Sequence, residues 1–278
     1  MSRSRLLEMG GFNQLAAARD GYFLYNQNDQ YIGRSIEQYG EFSGLEMKLF
    51  GQVCSAGGVV IEVGANIGAH TVGLARLVGP QGRVLAFEPQ RLPFQTLCAN
   101  VALNSLDNVD CFWAAVGSQD GFIDVPDLNP RLENNFGALS LLAGWGGPRV
   151  TCLTLNHYIT LPKVDMVKID VEGMEAEVIR GGELLLKQFK PVLYVENDRL
   201  EKSEALIRLI ASLGYRLYWH FPTLFNPDNF FANSHDSFPK VVSMNMLCVH
   251  RDLKLRVTGL HEIVDFAFHP GRPDSAGN

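Results

Sequence analysis

Short apolar runs alternate with stretches of helical periodicity along most of the chain. Residues 59–63 are apolar except for Glu62, and a helical pattern follows them to about residue 78. The alternation continues with predicted strands at 84–88, 109–115, 164–169 and 191–196 and predicted helices at 92–104, 173–189 and 203–213. Strands that are apolar on both faces are typical of a parallel sheet covered by helices. The pattern therefore predicts an α/β fold.

The N-terminal part of the chain has a different character. Asp20-Gly21 predicts a hairpin turn between two short strands. Ser43 predicts the N-cap of a helix over residues 43–53, with Glu46 completing a capping box. We expect residues 1–55 to form an N-terminal extension or lid on a main domain over 56–252.

The C-terminal part is predicted to complete the sheet. The helix at 203–213 has Ser203 as its predicted N-cap and Gly214 just past its end. Two closing strands follow, at 215–219 and 245–250, and a long loop over 220–245 joins them; an insert of that length is usually functional. We expect the stretch 117–148 to be irregular and 253–278 to form a C-terminal tail, frayed from Pro270 onward.

Composition and charge exclude several classes of protein. The chain is 46% hydrophobic and 19% charged, which excludes disorder for most of it. Its net charge of −6, without a basic block, argues against a nucleic-acid partner. We find no signal-peptide pattern and no 18-residue apolar run, so we expect a cytoplasmic protein without a membrane partner. Five widely spaced cysteines are expected to be reduced in the core: Cys54, Cys98, Cys111, Cys152 and Cys248.

The strongest local signal for a ligand site lies at the end of the predicted strand at 59–63. Residues 62–68 (EVGANIG) lead into a tight turn at Gly64, and Gly68 lets the next helix start close to the sheet. The following strand ends at Glu88-Pro89, where an acidic side chain can accept hydrogen bonds from both hydroxyls of a ribose. Together these features predict a site for a cofactor that contains a nucleoside.

Two cofactor classes use this arrangement. Dinucleotide-binding folds favour glycine where this chain has Asn66, because the backbone there approaches a pyrophosphate. Glu62 would repel a pyrophosphate but could hold the amino-acid part of S-adenosylmethionine (SAM). The pattern favours SAM over NAD. An NAD-dependent sugar dehydrogenase or epimerase stays an alternative, although none of the eight tyrosines is followed by lysine four positions later.

Three motifs in this order and spacing resemble the FkbM-type SAM-dependent methyltransferases. They are residues 62–68 (EVGANIG), 87–89 (FEP) and 167–173 (VKIDVEG), and the last leads through Glu175 to Gly181-Gly182. The resemblance covers about residues 31–251. It implies a class I methyltransferase fold, which is a Rossmann-like sheet of seven strands, six parallel and the last antiparallel, flanked by helices. It also implies O-methylation of a sugar or another natural product. A SAM- or nucleoside-binding module that has lost catalysis is a further alternative.

The resemblance also assigns cofactor contacts residue by residue. The SAM loop, the ribose acceptor and the wall beside the adenine correspond here to Glu62, Gly64, Asn66, Gly68, Glu88, Pro89, Ala115 and Val116. His70 and Thr71, one turn into the first helix after the loop, either face the cofactor or belong to the helix surface. Residues 39–41 in the extension are expected to close over the cofactor.

Carboxylates follow the fourth and fifth strands of the predicted sheet. Ligands of open α/β sheets bind outside the carboxyl ends of the strands, which brings Asp170 and Glu172 near Glu196, Asn197 and Asp198. Methylation of a hydroxyl needs a group that removes its proton, so Asp170 or Glu196 is the expected base. Glu172 and Asn197 are expected to contact the substrate. We expect no metal, although these carboxylates could hold a divalent cation.

The loop at 220–245 is the other segment expected to contact substrate. His220 is a further candidate base, and Asn226, Asp228 and Asn229 are expected to bind the hydroxyls of the acceptor. Alternatively, the aromatic residues of this loop only attach it to the core. The expected partners are a small molecule with a hydroxyl group and, through residues 22–50, a second copy of the chain.

Overall fold

The computed structural model describes residues 5–7, 10–137 and 147–271. The strands are β1 (Arg5–Leu7), β2 (Asn13–Ala18), β3 (Gly21–Asn26), β4 (Val59–Val63), β5 (Arg83–Phe87), β6 (Val109–Phe112), β7 (Ala115–Val116), β8 (Gly121–Asp124), β9 (Arg149–Leu153), β10 (Met166–Ile169), β11 (Val192–Glu196), β12 (Tyr215–His220), β13 (Asn245–His250) and β14 (His261–Glu262). The helices are α1 (Ile32–Tyr39), α2 (Gly44–Val53), α3 (Thr71–Val78), α4 (Arg91–Leu103), α5 (Glu175–Gly181), α6 (Glu183–Phe189) and α7 (Leu200–Ser212), with a 3-10 helix at Leu155–Tyr158.

The central sheet has the order β6-β5-β4-β10-β11-β13-β12, and the two-residue β14 adds an eighth strand at its edge. Strands β6, β5, β4, β10 and β11 pair in parallel, and β13 runs antiparallel to both β11 and β12. Apart from β14, the sheet therefore has seven strands, of which six are parallel and one, β13, is antiparallel. This confirms the predicted α/β class I methyltransferase fold.

Strand order reverses between β4 and β10, which fixes where a ligand can bind. β4 pairs with β5 on one side and with β10 on the other. The connections from these two central strands leave in opposite directions, so a crevice opens beyond their carboxyl ends. The glycine turn after β4 and the acidic residues after β10 meet at this crevice.

Alternation along the central strands divides the core into two faces. Ile61 and Val63 pack into the cluster that includes α5, α6 and α7, whereas Val60 packs with Phe50 of α2 and Leu74 of α3. Glu62 has the same parity as Val60, so it faces α3. This parity decides the environment of the Glu62 carboxylate.

The N-terminal segment is packed on the main sheet domain. Strands β1, β2 and β3 form a small antiparallel sheet, and the predicted hairpin at Asp20-Gly21 is confirmed. The Asn100 amide of α4 bonds both the N–H and the C=O of Leu24, at 2.6 and 3.0 Å. Asn104 does the same for Tyr22. Side-chain amides therefore substitute for a neighbouring strand along β3. The domain boundaries expected from the sequence stay predictions.

Two of the predicted helices differ from the structure. The helix predicted over 173–189 is divided at Gly182 into α5 and α6. Next to this break, Gly181 packs so closely on Gly117 that a Cβ there would lie 1.9 Å from the Gly117 carbonyl oxygen. Helix α7 starts at Leu200, with Arg199 at the N-cap, and the predicted cap Ser203 is buried inside the helix. Ser43 occupies the N-cap of α2 as predicted, but its side chain makes no capping hydrogen bond, and Glu46 points into a buried polar cluster described below.

The sequence pattern also missed strands. The stretch predicted as irregular contains β8, which pairs with β9; with β7 they form a third sheet. β8 is largely exposed, so it lacks the apolar alternation by which strands are recognised. The strand predicted over 109–115 ends at Phe112, and β7 continues in this other sheet. Part of the irregular stretch (138–146) and most of the predicted frayed end (272–278) lie outside the described residues.

All five cysteines are free thiols, with Cys152 and Cys248 buried and the other three half-buried. Among the helices described here, none is long and apolar enough to cross a membrane.

Candidate functional site

A cavity opens at the carboxyl ends of β4, β5, β10 and β11. The turn after β4 contributes Gly64, Ala65 and Asn66, and the neighbouring strand ends contribute Glu88, Asp170 and Glu196. The rest of the lining is Tyr31, Ile32, Phe42, Glu46, Ala69, His70, Pro89, Gln90, Asn135, Gly137, Lys168, Val171, Glu172, Leu224, Val241, Ser243 and Asn245. The cavity therefore joins the predicted cofactor loop to the predicted catalytic carboxylates.

Gly64 lets the strand ends approach each other at the floor of the cavity. Its φ is +85°, and a Cβ at this position would lie 1.8 Å from the carbonyl oxygen of Asp170. Gly68 also has a positive φ, and a Cβ there would lie 2.8 Å from Leu97 of α4. Asn66 adopts a left-handed conformation, with φ of +50°. Gly64 and Gly68 thus form a turn that another side chain would obstruct.

Glu88 is buried at the end of β5 and held in a fixed orientation. Its two carboxylate oxygens accept hydrogen bonds from the backbone N–H groups of Asn66 and Gln90, both at 2.8 Å. Burial raises the pKa of Glu88 to about 7, and these two N–H groups partly offset the increase. Each carboxylate oxygen has a second acceptor direction, so the group can accept two more hydrogen bonds.

A second, smaller cavity adjoins the first beside Pro89. Its lining includes Ala115 and Val116, and it shares Gly64, Pro89 and Val171 with the larger cavity. The two predicted adenine-wall residues therefore lie next to the turn and next to Pro89. Both are apolar and buried, as a surface that packs against a base should be.

Residues 134–137 lie along the cofactor side of the cavity. The carbonyl oxygen of Phe136 accepts hydrogen bonds from Gln90 at 3.0 Å and from the Asn66 side chain at 3.4 Å. Asn134 pairs with the N-terminal part through the N–H of Gln30 and the carbonyl of Asn28. These contacts attach the segment to both sides of the cavity.

Glu62 lies beneath the cavity and is not part of its lining. It is fully buried, accepts a hydrogen bond from Thr71 at 2.6 Å, and lies 3.8 Å from Lys168. Lys168 lines the cavity and lies 3.1 Å from Asp170. The carboxylates of Asp170, Glu62 and Glu46 raise the pKa of Lys168 against the opposing effect of burial. The Thr71 hydroxyl therefore bonds Glu62, and Lys168 lies between Glu62 and the cavity.

Three carboxylates converge at the other end of the cavity. One oxygen each from Asp170, Glu172 and Glu196 lies within 4.8 Å of the other two. Arg199 forms an ion pair with Glu172, whose φ of +53° places it in the left-handed region. Burial and the neighbouring carboxylates raise the pKa of Glu172 to about 8 and that of Glu196 well above its ordinary value. The crowding of carboxyl groups in the cluster therefore disfavours the ionisation of Glu172 and Glu196 in the absence of a further cation.

The N-terminal segment supplies part of the site that the sequence did not predict. Glu46 of α2 is buried, lines the cavity and accepts a hydrogen bond from Asn245 at 3.1 Å. Its Oε2 lies 3.5 Å from Nε2 of His70. Burial raises the pKa of Glu46 to about 7 and lowers that of His70, so His70 is neutral near pH 7. The only sequence signal at Glu46 was its place in a capping box, which carries no information about contacts 199 residues away.

Four polar residues predicted at the substrate lie outside the lining of both cavities. Asn226 bonds Glu41 at 2.7 Å, and Asn229 bonds backbone carbonyls of its own loop. Asp228 is exposed. The fourth, Asn197, is buried, and its amide donates to the sulfur of Met246. Glu172, by contrast, is in the lining of the larger cavity.

The loop after β12 contacts the N-terminal segment. Tyr39 packs on Phe225 and Phe238 at ring distances of 5.5 and 5.9 Å, and its hydroxyl donates to the His235 carbonyl. His220 bonds the hydroxyl of Tyr194 at 2.8 Å and does not line the cavity. The aromatic residues therefore attach the loop to α1, and the loop reaches the cavity through other residues: Leu224, Val241 and Ser243.

The family of the chain is given by its similarity to known proteins. The chain matches the model of the methyltransferase FkbM domain over residues 62–217, from β4 into β12. The match spans more than half of the chain and contains the glycine turn, Glu88 and the three carboxylates. The chain belongs to the FkbM methyltransferase family.

Curated relatives and a solved structure give more distant matches. The chain is 25% identical to Methyltransferase 1 of Beauveria bassiana over 44% of this chain and 57% of that protein. It is 28% identical to Methyltransferase sdnD of Sordaria araneosa over 44% of this chain and 59% of that protein. The matched regions thus span less than two thirds of these relatives. The crystal structure of methyltransferase FkbM from Methylobacillus flagellatus KT aligns with a TM-score of 0.45 at 14% identity, covering 79% of this chain and 55% of that one.

Proposed function

We propose that this chain transfers a methyl group from SAM to a hydroxyl group of a small molecule, such as a sugar, a glycosylated compound or another natural product. The observation that carries the proposal is the single cavity that connects Gly64 and Glu88 to the carboxylates after β10 and β11. Membership of a methyltransferase family supports the methyl donor. The carboxylates support an acceptor that must lose a proton.

The cofactor side of the cavity suits SAM better than NAD. Glu88 has free acceptor directions for both ribose hydroxyls, and Pro89, Ala115 and Val116 offer an apolar wall for the adenine. The cavity lining contains several carboxylates, which would repel a pyrophosphate and attract the sulfonium and ammonium groups of SAM. SAM supplies the methyl group when it is bound.

The acceptor side is assigned to the carboxylate cluster. A hydroxyl oxygen placed in line with the methyl group must lose its proton as the new C–O bond forms. Asp170 or Glu196 is the expected proton acceptor, since both line the cavity. Burial and the neighbouring carboxylates raise the pKa of Glu196 well above its ordinary value, so its ionised form accepts a proton more readily than an ordinary carboxylate.

A transfer assay that uses SAM with an isotopically labelled methyl group tests the proposal. A panel of monosaccharides, glycosides and polyhydroxylated natural products is compared with the same compounds fully O-methylated and with matched amines and carboxylic acids. We expect label only in compounds with free hydroxyls, as a methyl ether that survives alkaline hydrolysis. Label in an amine, or as an alkali-labile methyl ester, would contradict O-methylation, as would SAM binding without transfer to any hydroxyl compound.

The Asp170→Asn and Glu196→Gln variants extend this assay. If either residue is the base, its variant should lower kcat much more than it weakens the binding of S-adenosylhomocysteine (SAH). Equal losses in turnover and cofactor affinity would assign a structural role to that residue. Exposed Glu201→Gln at the start of α7 is the matched control, because it makes the same change outside the cavity.

A further inference from the structure

The carboxylate of Glu196 has an unusual environment. Its Oε2 atom is buried and has no hydrogen-bond partner within the described part of the chain, and the carboxyl group is enclosed by protein. A buried carboxylate oxygen without a partner is costly, because desolvation is not offset by any contact. Within the same described residues, no lysine, arginine or histidine lies within ion-pair distance of Glu196. The side chain lines the cavity, so a ligand can reach it.

In each of the two neighbouring carboxylates, those of Asp170 and Glu172, one oxygen contacts a cationic side chain. Lys168 contacts Oδ2 of Asp170 at 3.1 Å, and Arg199 contacts Oε2 of Glu172. Among the residues that the structure describes, no side chain or backbone group bonds the other oxygen of either carboxylate. Asp198 adds a fourth carboxylate close by, and Arg199 lies 3.4 Å from it. Two cations thus face four carboxyl groups.

We propose that Asp170, Glu172 and Glu196 form a binding site for a divalent cation of the magnesium or manganese type. The oxygens concerned lie within 4.8 Å of one another, and an octahedral ion with oxygens at about 2.1 Å holds adjacent ligands about 3 Å apart. Small side-chain rotations close that difference. A donor set made only of oxygens favours these hard cations over zinc or copper. The cation satisfies the Oε2 of Glu196 and balances the charge of the cluster.

What the cation does rests on the proposed function. The site faces the same cavity as Gly64 and lies at the acceptor end. A cation held there would coordinate the acceptor hydroxyl, orient it and lower its pKa. The hydroxyl proton would pass to a free carboxylate oxygen of the site, and the other cation positions would be filled by water.

Titration of the full chain with Mn²⁺ tests the cation site without any acceptor. The protein is first treated with a chelator, and free Mn²⁺ is followed by its electron paramagnetic resonance signal, with Mg²⁺ as competitor. We expect one saturable site that Mg²⁺ displaces. Glu196→Gln and Asp170→Asn should each weaken Mn²⁺ binding by at least about tenfold. Glu201→Gln, which removes one exposed carboxylate, should leave binding unchanged.

Several outcomes would overturn the proposal. They are the absence of saturable binding by the wild-type chain up to millimolar Mn²⁺, unchanged binding in both Asp170→Asn and Glu196→Gln, and an equal loss in Glu201→Gln. Circular dichroism checks that each variant is folded. Because Asp170 and Glu196 follow different strands, the test still stands if one of the two variants fails to fold. SAH titration on the same samples separates the two proposals. Normal SAH binding without Mn²⁺ binding removes only the cation site, whereas Mn²⁺ binding without SAH binding removes only the proposed function.

Discussion

The carboxylate of Glu88 accepts a hydrogen bond of 2.8 Å from the backbone N–H of Asn66, which joins the end of β5 to the turn after β4. Asn66 itself adopts a left-handed conformation, with φ of +50°. The predicted ribose acceptor and the predicted cofactor loop therefore form one rigid unit before any ligand binds. Such preorganisation lowers the entropic cost of binding.

Glu88→Gln should weaken SAH binding by about 10- to 100-fold, because hydrogen bonds to a charged acceptor contribute about 1.5–3 kcal/mol. The amide keeps the size of the side chain but can no longer accept on both of its terminal atoms. Isothermal titration calorimetry measures the change. Glu133→Gln, at an exposed position, is the control, and an affinity like that of the wild type in Glu88→Gln would remove Glu88 from the ribose site.

SAH binding should weaken as the pH falls below about 7. Burial raises the pKa of Glu88 to about 7 in the free protein, and ribose hydroxyls donate to the ionised form. Binding must therefore lower this pKa, and below pH 7 it must release a proton.

The association constant should then fall by up to about tenfold per pH unit below the pKa of the free protein. Calorimetry between about pH 5.5 and 7.5 measures the slope, and Glu88→Gln should make the profile much flatter. An equally steep profile in the variant would assign the linkage to another group.

Gly64→Ala should destabilise the fold much more than Gly57→Ala. Both glycines have positive φ, so both substitutions incur the left-handed strain of about 1–2 kcal/mol. At Gly57 a Cβ meets nothing within 4 Å, whereas at Gly64 it would lie 1.8 Å from the Asp170 carbonyl. Urea denaturation should show an extra loss of at least about 2 kcal/mol for Gly64→Ala. Equal losses would mean that β4 and β10 can separate at little cost.

Glu46→Gln should stabilise the ligand-free protein at pH 8 but not at pH 5. Burial raises the pKa of Glu46 to about 7, above its ordinary value of 4.5, so ionisation costs more in the folded state than in the unfolded state. The wild type is therefore expected to lose stability as the pH rises from about 4.5 to about 7 and to lose no more above that range.

Gln removes this contribution, which is on the order of 2–3 kcal/mol. Free energies of unfolding at the two pH values measure it, with Glu183→Gln on the surface of α6 as the control. A gain of the same size at pH 5 would show that the effect does not come from ionisation.

Much of the site follows from sequence because it depends on topology alone. In a parallel sheet the residues after each strand share one edge, so Gly64, Glu88, Asp170 and Glu196 could be placed together once the strands were recognised. The family resemblance then supplied the count of seven strands.

The residues that were missed or misplaced depend on tertiary packing. Glu46 and Asn245 meet across 199 residues, and nothing in the local pattern of either segment indicates the partner. Glu62 points toward Thr71 because of strand parity, which places it under the cavity and not at its edge. The polar residues of the loop after β12, such as Asn226, mainly shape the loop and attach it to the N-terminal segment.

The central claim is that the cavity beside Gly64 and Glu88 binds SAM, and calorimetric titration with SAH, with NAD as the control ligand, tests it most directly. The account predicts stoichiometric, micromolar SAH binding that Glu88→Gln weakens, and no measurable heat with NAD. Binding of NAD, or no binding of SAH by folded protein, would contradict the account.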